Sequence, residues 1–400
     1  MASATADGAV PPVRVAVVGH GMWVRMYLLP GLRRCAGVEV VAVCGRDPVR
    51  TEAAAAELSI PCAYGDVAEM VRTESPDAVL VASPPVHHRE AVAAAAAMGA
   101  AVYCEKPLGL DAGQTADMVR AAAGVPTMTG FTLRWNPALA GLRAAVRAGR
   151  LGAVRHVEVR YLQPASGGAL SGWHRDPAAE PHGVLSDLGP HAADLLRWYG
   201  AEAAAVGGVG QALADDGTLD ECHLVMRLRP GGGEGGSRMG AGATANVAFS
   251  RVAPPGDGPA VGTIEVRGEA GWGACDFAAG EGYRLGRYDG AQVWCGTAAH
   301  DFGSVGAVGG PAVEAVGGLV PPAVMQRLHA GAARQMGDFV ALVRAGRADR
   351  TNRHEGGRAD LPGLRDGHEA QRWVDAAATA IARGRWVDLG RPQGAAPIPV

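Results

Sequence analysis

Aromatic side chains make up only 5% of this 400-residue chain: 5 Phe, 7 Tyr and 8 Trp. Any core must therefore be built mainly from aliphatic groups. A charge excess of one sign is also missing, since 37 Lys and Arg face 40 Asp and Glu for a formal net charge of −3. That balance lacks the broad cationic surface that a phosphate backbone demands, so nucleic acid is not an expected partner. No two cysteines sit at redox or metal spacing. Cys35, Cys44, Cys62, Cys104, Cys222, Cys275 and Cys295 are scattered, several inside apolar runs, and read as reduced, buried thiols. Without a His/Cys cluster at ligand spacing, no metal is expected. No run is long and apolar enough to span a bilayer, because the most apolar stretch, Glu90–Cys104, is broken by Gly99. The opening residues from Met1 to Gly8 have neither a basic nor an apolar signal-peptide region. A cytoplasmic protein with no membrane partner is expected.

What is abundant is glycine, 59 residues of it, in a chain that is 48% hydrophobic and 19% charged. These are globular proportions, and the length suggests two domains. Short apolar runs at Val13–Val18, Val38–Cys44, Ala78–Ala82, Ala101–Cys104 and Pro126–Thr129 read as buried parallel strands. Between them, Met22–Arg34, Pro48–Leu58, His87–Met98 and Asp111–Ala123 have helical length, with Pro48 suited to a first turn and Asp111 to an N-cap. Alternating βαβ units imply a doubly wound parallel sheet. The rhythm changes after residue 131. Helices at Pro137–Ala148 and about Pro190–Tyr199 accompany strand-like segments at Val154–Leu162, Glu221–Arg229, Ala243–Arg251, Gly262–Arg267 and Tyr283–Tyr288. Strands in succession without crossover helices indicate an open, mostly antiparallel sheet in an α+β domain. Gly231–Gly242 reads as a loose hairpin tip and Gly296–Pro322 as a long loop, disordered or functional. Helices near Met325–Arg344 and Gly367–Arg383 close the chain. The expected organisation is a flexible 1–12, a dinucleotide-binding domain over 13–131 and a substrate-binding, oligomerising domain over 132–392.

The first strand runs straight into Gly19-His20-Gly21-Met22-Trp23-Val24. Glycines in a tight turn at that point let the backbone approach a pyrophosphate, and the helix that follows offers free N–H groups to it. Val24 replaces the third glycine of the usual pattern. At the end of the second strand a carboxylate would hold the ribose hydroxyls of NAD. Here that position is Gly45, followed by Arg46 and Asp47. Arg46 can clamp the 2′-phosphate of NADP, stack on adenine, or simply be a solvated arginine at a helix start. NADP is favoured on Arg46, with NAD left open through Asp47.

Four segments in order then carry a specific likeness: Ala82-Ser83-Pro84-Pro85-Val86-His87-His88, Glu105-Lys106-Pro107, Gly130-Phe131-Thr132-Leu133-Arg134-Trp135, and Gly183-Val184-Leu185-Ser186-Asp187-Leu188-Gly189-Pro190-His191-Ala192-Ala193-Asp194. Together they resemble the glucose–fructose oxidoreductase, inositol dehydrogenase and rhizopine catabolism (Gfo/Idh/MocA) family. The resemblance implies a Rossmann domain joined to an open-faced sheet domain. It implies that Ala82, Ser83, Pro84, His87, Glu105 and Lys106 border the cofactor, that Arg134, on the interdomain hinge, does so too, and that Trp173 stands near the nicotinamide. It also implies that Lys106 reaches the reacting oxygen, with a cis bond before Pro107. Chemically, a lysine acts as base on a secondary alcohol if a cationic cofactor and a second positive group lower its pKa. Asp187 and His191, four residues apart, share a helix face, so His191 can shuttle a proton or bind substrate while Asp187 orients it. Pro190 suits a first helical turn. Asp194 is a salt-bridge candidate. Tyr161, His182 and Tyr283 are candidates for the substrate pocket.

These readings point to an NAD(P)-dependent oxidoreductase acting between alcohol and ketone on a polyhydroxylated substrate: a sugar, cyclitol, nucleotide sugar or aminoglycoside precursor. Two alternatives stay open: glycoside cleavage through transient oxidation with a retained cofactor, and a non-catalytic sensor, against which the intact Lys106, Asp187 and His191 argue. The resemblance further implies a homodimer or homotetramer formed through the second domain's sheet.

Overall fold

The computed structural model describes residues 11–164, 172–213, 217–231, 238–253, 261–278, 282–288, 290, 292–296, 322–348 and 360–390. The first sheet contains β1 (Val13–Val18), β2 (Val38–Cys44), β3 (Cys62–Tyr64), β4 (Ala78–Val81), β5 (Ala101–Cys104) and β6 (Thr127–Thr129). All pair in parallel, in the order β3-β2-β1-β4-β5-β6. Such a sheet must be covered on both faces, which is why β1, β4 and β5 are apolar and buried almost throughout. The strand β3 was not expected from sequence, being only three residues long.

The first helix differs from the expected α-helix over Met22–Arg34. It makes a π turn over Val24–Leu28 before α1 (Leu29–Leu32). The wider turn coincides with placement of Trp23 and Tyr27 in one stack, with ring centroids 4.5 Å apart. Next come α2 (Pro48–Glu57), α3 (Val67–Glu74), α4 (His88–Ala97) and α5 (Ala112–Ala121). Asp47, Asp66 and Asp111 each cap a helix, accepting from the N–H three residues on.

The second sheet holds β7 (Val154–Pro164), β8 (Ala201–Gln211), β9 (Glu221–Pro230), β10 (Met239–Ala253), β11 (Val261–Gly268), β12 (Gly271–Asp276), β13 (Gly282–Arg287), β14 (Gln292–Gly296) and β15 (Val387–Asp388). Its order is β14-β13-β12-β11-β7-β10-β9-β8-β15, antiparallel except for the pair β7–β10. One face packs on α6 (Pro137–Arg147), α7 (Val184–Trp198) and α9 (Leu364–Arg383). The other face is open, as the alternation along β9 shows: Cys222, Leu224, Met226 and Leu228 point inward, whereas His223, Val225 and Arg227 are exposed.

Two expectations are corrected here. The helix placed at Pro190–Tyr199 begins at Val184, so Pro190 is an interior residue and not a first-turn one. The start is set by Gly183, at φ +53°, where a Cβ would stand 2.3 Å from the Leu219 carbonyl oxygen. Pro190 gives up one helical hydrogen bond in exchange for a buried ring. The hairpin tip read at Gly231–Gly242 is shorter than expected, because β10 already begins at Met239; residues 232–237, like 297–321 of the long Gly-rich loop, lie outside the described residues. The helix α8 (Pro322–Ala348) returns to the first sheet, where Ala332, Met336, Phe339, Val340 and Val343 complete the core above β1 and β5. Among the described residues, no helix is long and apolar enough to cross a membrane.

Candidate active site

In a doubly wound sheet the ligand crevice opens at the carboxyl ends of the strands where the order reverses, here between β1 and β4. Gly19 stands there at φ +98°, its N–H donating to the Cys44 carbonyl at 2.8 Å. A Cβ on Gly19 would meet the Ala82 carbonyl oxygen at 2.6 Å. Two turns of chain are thus pressed together where only glycine fits. Gly21 faces open space, with nothing within 4 Å of its Cβ position, and Met22 is exposed. Across the crevice, Ser83 Oγ and His87 Nε2 are buried without a hydrogen-bond partner among the described residues. An open glycine turn facing unpartnered buried polar atoms fits a dinucleotide.

The ribose end explains the missing carboxylate. A Cβ at Gly45 would lie 2.5 Å from Thr51 Oγ1 and 2.8 Å from His20 Nε2, so no side chain fits under the His20 ring. Asp47 caps α2, its Oδ1 accepting from the Arg50 N–H at 3.1 Å. Arg46 is exposed. The rim carries positive charge: burial, then Arg46, lowers the His87 pKa, and burial, then Arg25 and Arg50, lowers that of His20.

The end of β5 gathers the ionisable groups. Glu105 is buried and accepts from Trp23 Nε1 at 2.9 Å, Tyr103 Oη at 2.8 Å and the Lys106 N–H at 3.2 Å. Gly130 makes room, since a Cβ there would stand 2.6 Å from the carboxyl group. Burial raises the Glu105 pKa against the pull of these donors. Trp23 thus ties the turn to the lysine's neighbour. His88, fully buried, stands between the two loops with Nε2 2.7 Å from the Ser83 carbonyl and Nδ1 3.2 Å from that of Leu108, and its neutral ring donates to one of the two. Burial lowers its pKa to about 4. The motif alone does not say which of the adjacent His87 and His88 turns inward.

The Lys106–Pro107 peptide is cis. Lys106 Nζ donates to Asp187 Oδ1 at 2.7 Å and to the Asp187 carbonyl at 3.2 Å. His191 follows one turn later on α7, its ring against Phe131 and Tyr161 at centroid distances of 6.4 and 6.2 Å. Its Nδ1 is buried and unpartnered among the described residues. Tyr161 completes the group, edge-on to Phe277 at 5.4 Å. Burial opposes charge on Asp187, but Lys106 overrides it and holds the carboxyl at about 2. Burial likewise opposes charge on Lys106, but Asp187 raises its pKa above the usual lysine value. This corrects the expectation of a second positive group depressing the lysine: the neighbour that counts is a carboxylate. Burial, followed by Lys106, lowers His191 to about 3, so the resting site holds an ammonium, a carboxylate and a neutral imidazole.

Other candidates lie elsewhere. Arg134, expected at the cofactor, is buried in a paired contact with Asp194, Nε to Oδ2 at 2.9 Å and Nη2 to Oδ1 at 2.5 Å, and donates to the Asp360 carbonyl at 3.0 Å. Burial lowers the His182 pKa against the pull of Asp375, and the Tyr283 ring packs over Gly141 of α6. Trp173 stacks on His174 at 3.7 Å. His174, between Trp173 and Arg175, is close enough to Asp187 for its protonated form to lower the Asp187 pKa. Among the described residues, no group of three or more His, Cys, Asp or Glu stands together as a metal site.

Residues 13–130 match the family described as "Oxidoreductase family, NAD-binding Rossmann fold", and residues 139–273 match "GFO/IDH/MocA C-terminal domain". The chain is 32% identical over 209 residues to D-apiose dehydrogenase of Paraburkholderia graminis, covering 50% of this chain and 54% of that enzyme. It is 34% identical over 224 residues to myo-inositol dehydrogenase Hyg17 of Streptomyces leeuwenhoekii, covering 54% and 66%. The matched segment thus spans about half to two thirds of these relatives. In structure it is similar to an oxidoreductase domain protein from Kribbella flavida, with TM-score 0.75, 23% identity, and 95% and 100% of the two chains covered. Two family domains in sequence, a doubly wound sheet and an open mixed sheet agree: the chain belongs to the Gfo/Idh/MocA family of oxidoreductases, with an NAD-binding Rossmann domain.

Proposed function

We propose that this chain interconverts a secondary alcohol and a ketone on a sugar or cyclitol with a nicotinamide dinucleotide. The observation that carries the reading is the Lys106–Asp187 contact at 2.7 Å at the carboxyl end of β5, with His191 and Tyr161 beside it. The names of the relatives, a D-apiose and a myo-inositol dehydrogenase, support a polyol substrate.

The N–H groups around Gly19 and Gly21 would hold the pyrophosphate, and Ser83 and His87 would meet the dinucleotide across the crevice. The bound nicotinamide supplies or accepts the hydride. The remaining work falls to the chain. Lys106, kept protonated by Asp187, donates from Nζ to a ketone oxygen; in the other direction the deprotonated amine takes the hydroxyl proton. Asp187 holds Nζ in place, and the neutral His191 offers Nδ1 as a proton acceptor. The exposed Arg46, beside His87, favours the 2′-phosphate of NADP. Self-association belongs on the open face of the second sheet, where Leu162, Val225 and Ala248 lie among Arg160, Glu221 and His223.

The first test is a tryptophan-quenching titration with NAD, NADH, NADP and NADPH in parallel, followed by a screen of sugar and cyclitol alcohols for change in reduced-nicotinamide absorbance. Binding of one redox pair with turnover of a polyol is the expected result; no binding of any form defeats the proposal. Arg46→Ala should weaken NADP binding much more than NAD, and an equal effect on both removes the NADP preference.

A further inference from the structure

Next to the lysine pair stands a polar group that the proposed reaction does not use. The short 3₁₀ turn Gly172–Arg175 carries His174, whose Nδ1 is 3.4 Å from Glu180 Oε1. Glu180 is 2% exposed, and its other oxygen accepts from Arg251 Nη1 at 2.8 Å. Arg251 is 3% exposed; its Nε donates to Asp220 Oδ1 at 3.3 Å, and Arg175 Nη1 lies 3.3 Å from the same oxygen. Arg251 Nη1 also reaches the His174 carbonyl at 3.5 Å.

Two buried carboxylates and two guanidiniums here balance one another. Burying three of these four charges, with Arg175 22% exposed, is no efficient way to stabilise a loop, because well-packed apolar residues generally do so as well or better. What the cluster does achieve is placement of one ring. His174 is held at its face by Trp173, at its backbone by Arg251 and at Nδ1 by a buried carboxylate. An acceptor at Nδ1 sets the tautomer of a neutral imidazole: the proton sits on Nδ1 and Nε2 becomes an acceptor. Among the described residues no hydrogen bond occupies Nε2, and the His174 side chain keeps 25% of its surface exposed. The ring lies within electrostatic reach of the Asp187 that holds Lys106.

We infer that His174, oriented by Glu180, accepts a hydrogen bond from a second hydroxyl of the polyol whose reacting oxygen meets Lys106, so that the site selects polyols over isolated alcohols. This rests on the oxidoreductase reading above. His174 is then a substrate-contacting residue and Glu180 a positioning one. A site built to accept from a hydroxyl discriminates strongly against the analogue that lacks it.

The test uses the full chain with ¹⁵N-labelled histidine and the dinucleotide it binds. Long-range ¹H–¹⁵N spectra should show neutral His174 protonated on Nδ1, and its Nε2 resonance should move with at least one of myo-inositol, D-glucose and glycerol but not with cyclohexanol. Glu180→Gln should weaken that tautomer preference. His174→Ala should lower kcat/KM for the polyol about tenfold, as for loss of one hydrogen bond, with dinucleotide affinity and Tm near wild type. A neutral His174 protonated on Nε2 overturns the inference, as does an Nε2 signal that no polyol moves. If no dinucleotide binds, the oxidoreductase reading falls and this contact with it, a result separable from the tautomer, which needs no cofactor.

Discussion

Replacing Lys106 by Met keeps the length and apolar stem of the side chain and removes only the ammonium. Asp187 then keeps its burial and loses the partner at 2.7 Å. Removing one member of a buried ion pair costs about 3–5 kcal/mol. The two side chains are 20% and 21% exposed, so solvent screening brings the expected loss to about 3 kcal/mol or a little less. At about 2–4 °C per kcal/mol for a domain of this size, Tm should fall by about 6–12 °C. The pH dependence has a defined sign. The wild-type Asp187 carboxyl, held at about 2, lies below its unfolded value of 3.8, so its contribution is present above 3.8 and is lost as pH falls toward 2. Lys106, raised above 10.5, contributes fully below that value and loses its contribution as pH rises through its folded pKa. In the variant, burial, the largest influence on Asp187, is opposed only by the weaker pull of His174 and His191 and pushes its pKa up, so protonation now favours the fold. The Tm gap between variant and wild type should therefore narrow on acidification from neutrality toward about pH 4. Polyol turnover followed by nicotinamide absorbance should fall about 10²–10⁴-fold, the range for general acid–base groups, while dinucleotide affinity holds within about twofold. Turnover near wild type would refute the acid–base role. A Tm gap that does not change with pH would refute the electrostatic account.

Arg134→Met should cost about 3–5 kcal/mol, because Asp194 is left almost fully buried without its ion pair. A thermal melt checks this, and unchanged Tm with lost dinucleotide affinity would restore the cofactor role expected from sequence. Gly19→Ala must place a Cβ 2.6 Å from the Ala82 carbonyl at a φ of +98°. It should weaken dinucleotide binding at least about tenfold by forcing the turn open, and wild-type affinity would show that the turn is not part of the site. His191, with its pKa lowered to about 3, should show no imidazole titration between about pH 5 and pH 8 by NMR in the unliganded chain; a midpoint in that range would contradict the neutral assignment.

The first sheet was legible because fully buried parallel strands are continuous apolar runs, and Val13–Val18 and Val38–Cys44 were located to the residue. So was the pairing of Asp187 and His191 on one helix face, since four-residue spacing survives any shift of the helix start. The helix start itself was misread because Pro190 is a common first-turn signal, whereas the true start depends on Leu219, a residue distant in sequence that closes on Gly183. Long-range partners explain the other misses. Nothing near Arg134 announces Asp194, nothing near His174 announces Arg251, and a lysine's pKa depends on a neighbour 81 residues away. Motifs identify which residues are available; the partners that set their charge come from the fold.

The same partners bear on how the site opens. The segment Thr132–Trp135 joins the two sheets and was read as a hinge, yet both of its large polar side chains are anchored. Arg134 is paired with Asp194 of α7, while Trp135 Nε1 donates to Asp338 of α8 at 2.9 Å and Arg334 of α8 donates to the Trp135 carbonyl at 3.0 Å. One anchor therefore lies on the helix that carries Asp187 and His191, the other on the helix packed under β1 and β5. Bending at this segment would break a buried ion pair, at a cost of about 3–5 kcal/mol, comparable to much of a domain's stability. The two halves thus hold Lys106 and Asp187 in register before any ligand arrives. Lys106 comes from one half and Asp187 from the other, and acid–base catalysis needs them within hydrogen-bond reach. In the unliganded chain these contacts make the segment a brace.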